Sequence, residues 1–288
     1  MTPKRVADRL ARSIGRFQQV LQLARDRDVN EADTVSIIKD MLADVFGYDK
    51  YVDITSEFAV RGTFCDLAIK IENKVEYMIE AKAIGLELKD SHLRQAIEYG
   101  SNTGVPWVIL TNGASWRLYK IRFEKPINYD LVCSIDFMEL DPKNEEHLNR
   151  LYLFCKEGLS KDAREQYHEK LLVVNRFVLG ALILGDEILG AIRRELRKLS
   201  DGVLVDTEEI SQVLANEVLK RDVLEGEEAV KAQARVRRFY GKATRKTREN
   251  TVEKDLEPLP PTTEPIVNAP VVQQTPPPAG QNDTAVPQ

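Results

Sequence analysis

Cysteine is scarce in this sequence. The three present, Cys65, Cys133 and Cys155, are widely spaced and odd in number, so neither a disulfide framework nor a zinc pattern can be built from them. A reducing cytoplasm is the compartment this predicts. Histidine is equally sparse: His92, His147 and His168 are scattered, with no H-x-x-x-H pair and no Cys/His grouping to hold zinc. A G-x-x-x-x-G-K-[ST] phosphate loop is missing, which predicts no ATP motor in this chain. Long apolar runs are missing too. The most apolar stretch, LLVVNRFVLGALIL, is broken by Asn175 and Arg176 and is too short to span a bilayer. The opening MTPKRVADRLARSIGRF lacks the unbroken apolar core of a signal peptide. No membrane partner is expected.

What is there fits a soluble globular chain. Of 288 residues, 43% are hydrophobic and 30% charged, enough for one sizeable domain with an appendage or for two small ones. The net charge of −5 argues against a protein that coats nucleic acid over its whole surface. Its distribution matters more, because phosphate binding needs only local positive potential. KAQARVRRFYGKATRKTR, from Lys231 to Arg248, holds eight basic residues and no acid. Arg237 and Arg238 within it are candidate contacts to DNA; a solvated charged face is the plainer reading of such a run. After Asn250 the sequence turns rich in proline, threonine and glutamine, and cannot bury enough surface to offset the entropy of ordering. A disordered tail is expected over 250–288.

Residues 5–28 and 31–47 read as helices. In the second, Val35, Ile38, Leu42 and Val45 form one apolar stripe and Gly47 is a natural stop. Strands follow: KYVDITSEFAV, then TFCDLAIKI and VEYMIEAKA joined by a short ENK turn as a hairpin. A helical stretch, LKDSHLRQAIEYGSNTG, precedes two further strands, PWVILTN and SWRLYKIRF, around a tight NGA turn. Trp107 and Trp116 read as core. The order predicts an α/β fold, a mixed β-sheet flanked by helices. We divide the chain into an N-terminal helix (1–30), a sheet domain (31–125), an all-α region with a basic end (126–249) and the tail.

The chemistry concentrates in YMIEAKAIG. Successive strand side chains point to opposite faces, so Glu80 and Lys82 share one face and Tyr77, Ile79 and Ala81 the other. Asp66 lies fourteen residues before Glu80, across the hairpin. Two carboxylates and a lysine at the end of a sheet suit metal-assisted hydrolysis of a phosphodiester. Mg²⁺ takes oxygen ligands, one or two carboxylates with water and substrate phosphates, and the carbonyl of Ala81 offers another oxygen. The plainer alternative is a surface ion pair, worth about 0–1 kcal/mol. Glu31, four residues before Val35, falls on the apolar stripe, where an acid favoured by the helix dipole is the plain reading. Gln95 and Tyr99 share a helical face.

Five ordered segments, NEADTVSIIKDMLADVFGY, FCDLAIKI, YMIEAKAIG, LRQAIEYG and VPWVILTNGASWRLYKI, together resemble the N-terminal nuclease domain of type I restriction enzyme R subunits, within the PD-(D/E)xK nuclease superfamily. The resemblance covers roughly residues 28–122. It implies a restriction-endonuclease-like fold and Mg²⁺-dependent cleavage of DNA, with Mn²⁺ as a substitute ion. On that reading Asp66 and Glu80, with Ala81, hold the metal, Lys82 is the catalytic lysine and Glu31 supports the site. Gln95 and Tyr99 match a Q-x-x-x-Y motif that holds substrate or active-site groups. Cys65 stands where a proline often precedes the aspartate. Two departures from full-length R subunits stand out: the helicase motor is replaced by a short helical region, and target recognition is left unassigned. That helical region is a candidate homodimer contact. The competing expectation is a DNA-binding or regulatory module that keeps the fold without cleaving.

Overall fold

The structure is a computed structural model that describes residues 2–60, 62–199 and 204–254. It falls into two compact units, residues 1–233 and 234–288. In the first, α1 (Lys4–Asp26) buries Val6, Leu10, Ile14, Phe17, Leu21 and Ala24, a stripe at spacings of three and four. Each of its large apolar side chains contributes roughly 1.5–3 kcal/mol on leaving water. Asn30 caps α2 (Glu31–Asp44) by accepting the amide of Asp33 at 2.9 Å. The apolar stripe expected of α2 is present: Ile38, Met41 and Leu42 are buried. The chain leaves it through Gly47, whose φ of +82° falls in the left-handed region where glycine carries no Cβ penalty.

Six strands form one sheet in sequential order: β1 (Ile54–Val60), β2 (Thr63–Ile71), β3 (Lys74–Ala81), β4 (Trp107–Thr111), β5 (Ser115–Arg122) and β6 (Asn128–Asp136). All neighbours pair antiparallel except β3 and β4, which are parallel and joined through α3 (Asp90–Thr103). The expected mixed sheet flanked by helices is therefore observed. One face, carrying Leu67, Ile69, Tyr77, Ile79, Ala81 and Trp116, packs with α1 and α2 into the larger core. The other face, with Ala68, Met78, Val108 and Leu110, packs under α3. Gly100 permits that approach: a Cβ there would meet Ile121 Cδ1 at 2.5 Å and the Val105 carbonyl at 2.9 Å. Phe46 meets Trp116 edge to face at 4.9 Å, and Phe154 joins them.

Two elements differ from expectation. Residues 50–53 are a turn rather than the start of β1, because Asp49 accepts the amides of Tyr51 and Val52 and bends the chain. Residues 128–136, assigned from sequence to the helical region, form the edge strand β6. Its alternation is blurred by a register shift opposite Leu118 and Tyr119, which buries the adjacent Val132 and Cys133 together.

Helices follow: α4 (Glu145–Tyr152), α5 (Lys156–Leu159), α6 (Ala163–Val173), α7 (Arg176–Ile183), α8 (Asp186–Leu199), α9 (Thr207–Val213), a π-helical turn at Leu214–Val218, α10 (Arg221–Leu224) and α11 (Glu227–Lys254). Arg164 of α6 anchors on the sheet. It donates to the Glu76 carbonyl at 3.0 Å, pairs with the Glu76 carboxylate, and lies over the Tyr77 and Trp107 rings. α11 continues to Lys254, past the Asn250 where composition places the start of the tail; residues 255–288, and with them the expected disorder, lie outside the described residues. Among the described residues no helix is long and apolar enough to cross a membrane.

Candidate functional site

The β2–β3 hairpin supplies the centre of the site. Leu67 pairs with Ile79 and Ala68 with Met78, and the same register one residue further sets Asp66 opposite Glu80. Period-two alternation puts Tyr77, Ile79 and Ala81 into the larger core, leaving Glu80 and Lys82 on the α3 face. Lys82 Nζ lies 2.6 Å from Glu80 Oε1 and 3.6 Å from Glu31 Oε2. The backbone N–H of Ala81 donates to Asp66 Oδ2 at 2.8 Å. Ala81 thus contributes an amide that orients an acid.

Burial is graded across these groups. The side chain of Glu31 is 46% exposed, that of Lys82 12% and that of Glu80 1%. Glu80 Oε2 is buried without a hydrogen-bond partner. Burial pushes the Glu80 carboxyl up to about 7, against the hydrogen bond from Lys82 and with the help of Asp66. Asp66 is raised as well, chiefly by burial, against the Ala81 amide and Lys82. For Lys82 burial pulls downward, but Glu80, Glu31 and Asp66 together more than offset it and the value is raised. It remains an ammonium at neutral pH.

Two buried polar residues that sequence reading missed hold this arrangement. Thr34 of α2 donates to the Asn30 carbonyl at 2.8 Å and accepts the Ile84 amide at 3.1 Å. It thereby joins the helix turn carrying Glu31 to the segment just after Lys82. Asn112, at the end of β4, donates to the Leu86 carbonyl at 2.9 Å and accepts the Ser115 amide at 2.7 Å. The Lys82 amide donates to the Thr111 carbonyl at 2.9 Å. Strand β4 and helix α2 therefore grip residues 82–86 from two sides.

The other sequence candidates divide. Gln95 Nε2 donates to the Tyr99 hydroxyl at 3.0 Å, with Gln95 exposed and Tyr99 buried, but no bond joins them to the acids or Lys82 among the described contacts. His92, near the start of α3, accepts the Lys89 amide at 3.2 Å and is lowered by burial and then by Lys82 and Lys89. Arg237 and Arg238 are exposed on α11 in the second unit. A groove of about 700 Å³ lined by Arg150, Tyr152, Lys161, Tyr167 and Lys170 among others contains none of the site groups.

Among the described residues, no three His, Cys, Asp or Glu side chains stand together as a metal-holding group. The donor chemistry nonetheless fits a hard divalent cation. Two facing carboxylates present oxygen, and one buried oxygen lacks a partner. No curated protein and no solved structure matches the chain. Residues 37–132, which include Asp66, Glu80, Lys82, Gln95 and Tyr99, match the family described as the type I restriction enzyme R protein N terminus.

Proposed function

We propose that this chain is a metal-dependent nuclease that hydrolyses DNA phosphodiester bonds. The observation that supports it most is Glu80: a carboxylate 1% exposed, with one oxygen lacking a hydrogen bond, beside a second acid and a lysine. An ionised acid in that position is costly unless a cation completes it or a proton neutralises it. Asp66 and Glu80 would hold Mg²⁺, or Mn²⁺ in its place. Such an ion, when bound, polarises the phosphoryl group and acidifies a water.

The residues divide the remaining work. The Ala81 amide fixes Asp66 in the orientation that faces Glu80. Lys82, kept charged by its acidic neighbours, suits orienting the attacking water and stabilising charge on the phosphoryl oxygens better than accepting a proton. Glu31, at 3.6 Å, holds the ammonium from the solvent side. Gln95 and Tyr99 would contact substrate or orient the ligands, and Arg237 and Arg238 would meet phosphates away from the site. Cutting both strands of a duplex would draw on two copies joined through the helical region.

Plasmid and single-stranded DNA incubated with Mg²⁺ or Mn²⁺ provide the test, comparing wild type with Glu80→Ala and Lys82→Ala. Cleavage lost in both variants, with circular dichroism unchanged, is the expected result. A wild type that retards DNA in a gel without cutting it, and variants that retard it equally, would replace catalysis with the binding-module reading.

A further inference from the structure

Helices α4 and α6 turn polar faces into one groove. Glu146, Asn149, Arg150 and Leu153 line it from the first, and Ala163, Gln166, Tyr167 and Lys170 from the second. Each set recurs at i, i+3, i+4 and i+7, the face that a helix ordinarily keeps apolar and packs on a neighbour. Here most of those residues are polar, and a space of about 700 Å³ stays open between them. Both walls are anchored elsewhere. On α6, Arg164 donates to the Glu76 carbonyl, and Glu165 accepts the Trp107 indole N–H at 3.0 Å and pairs with Lys120. At α4, the Tyr77 hydroxyl donates to the Leu153 carbonyl at 2.7 Å, and the Thr2 amide donates to Asn149 Oδ1 at 2.8 Å.

The charges of the groove are unbalanced. Arg150, Lys161 and Lys170 stand against one carboxylate, Glu146. Lys161 and Lys170 are exposed, and neither meets a carboxylate among the described residues. Glu146 is 77% exposed and stops 3.7 Å from Arg150 Nε, a nitrogen that is buried without a hydrogen bond. A buried donor without an acceptor is costly. The groove therefore combines local positive potential with a donor still to be satisfied.

Those features describe the ligand. Three cations exceed what a single carboxylate would balance, whereas a phosphate monoester brings nearly two negative charges and three acceptor oxygens. The volume is that of a small-molecule site and exceeds what inorganic phosphate needs. The apolar part of the lining includes Tyr152, which is buried, and Tyr167, which is half-buried, and such rings favour a flat partner. We propose that this groove binds a nucleotide, its phosphate on Arg150, Lys161 and Lys170 and its base against Tyr167. None of Asp66, Glu80 and Lys82 lines it, so the proposal stands apart from DNA cleavage. A free nucleotide and the phosphorylated end of a single strand share this chemistry, and the experiment distinguishes them.

Isothermal titration calorimetry of the full chain uses dAMP, deoxyadenosine and inorganic phosphate as probes. Chelator is present throughout, which keeps divalent ions off the acids and makes the outcome independent of the catalytic reading. Wild type is expected to bind dAMP with sub-millimolar affinity and the other two at least about tenfold more weakly, since each lacks one half of the contacts. Arg150→Gln and Lys170→Glu should each weaken dAMP binding by about tenfold or more, the loss of one charge-assisted hydrogen bond, with circular dichroism unchanged. Tyr167→Leu should weaken dAMP but leave inorganic phosphate as it was. Oligothymidylate with and without a 5′-phosphate then assigns the source. A phosphorylated strand that displaces dAMP, where the hydroxyl form does not, puts a strand end in the groove; two inert strands leave it to the free nucleotide. Three results would each overturn the proposal: no heat with millimolar dAMP, inorganic phosphate binding as tightly as dAMP, or an affinity unmoved by both charge substitutions.

Discussion

Thr34→Val tests the idea that the site is held from outside itself. The substitution keeps the β-branched shape and nearly the same volume, and removes one hydroxyl that is wholly buried. The Asn30 carbonyl loses little, because it also accepts the Thr34 amide at 3.0 Å. The Ile84 amide loses the acceptor it has at 3.1 Å and becomes a buried donor without a partner, which costs about 1–3 kcal/mol. That cost falls on the link between the turn bearing Glu31 and the segment following Lys82. Urea denaturation should therefore show a lower midpoint with an unchanged slope. Mg²⁺ affinity by calorimetry should fall as well, because the strand end that carries Glu80 is no longer tied to α2 through Ile84. Thr34→Ser keeps the hydroxyl and should preserve both quantities apart from a small packing loss. If Thr34→Val matched wild type in stability and in metal affinity, the claim that this residue positions the site would be abandoned.

Three further outcomes are expected. The fold favours the protonated form of Glu80, raised from 4.5 to about 7, so metal-free stability should fall as pH rises through that window, by roughly 3 kcal/mol; denaturation in chelator at pH 5 and pH 8 checks this, and an equal fall in Glu80→Gln would assign it to other groups. Excess Mg²⁺ at pH 8 should return much of the loss to wild type but not to Glu80→Gln, read as a shift in thermal midpoint. Arg164→Ala strips a guanidinium from the part-buried Glu76 carboxylate, which keeps Lys74 at 2.8 Å, and from two aromatic faces, and should cost about 1.5–3 kcal/mol in chemical denaturation; a loss below 1 kcal/mol would show that α6 does not depend on this anchor.

Much of the fold could be read from local pattern. The apolar stripe of α2, the hairpin around Asn73 and the strands flanking Asn112–Gly113 follow periodicities of 3.6 and 2.0 that need no partner to be visible. Strand β6 was hidden because its partner register shifts at Leu118 and Tyr119, so its burial no longer alternates. In the site, the shared face of Glu80 and Lys82 follows from a spacing of two residues. That Asp66 stands opposite Glu80 does not, since a slip of one residue would turn it to the other face. Thr34 and Asn112 were illegible for a stronger reason. Their partners lie 50 and 26 residues away, and in isolation each looks like an ordinary residue of a helix start or a turn.

The same long-range contacts bear on the choice between a functional group and a surface ion pair. A surface pair keeps both charges in water and gains little from meeting. Here the acid is the more buried member, the lysine is next and only Glu31 is well exposed. Three carboxylates face one ammonium, so the cluster carries an excess of negative charge where the protein can least screen it. Sequence pattern alone favours the ion pair, because E-x-K triplets are common. Burial sets this cluster apart from a surface pair, since an ionised buried carboxylate oxygen without a partner lowers stability unless a proton or a cation meets it. Thr34 and Asn112 hold the segment behind Lys82 in place, so the geometry of the cluster depends on contacts far along the chain.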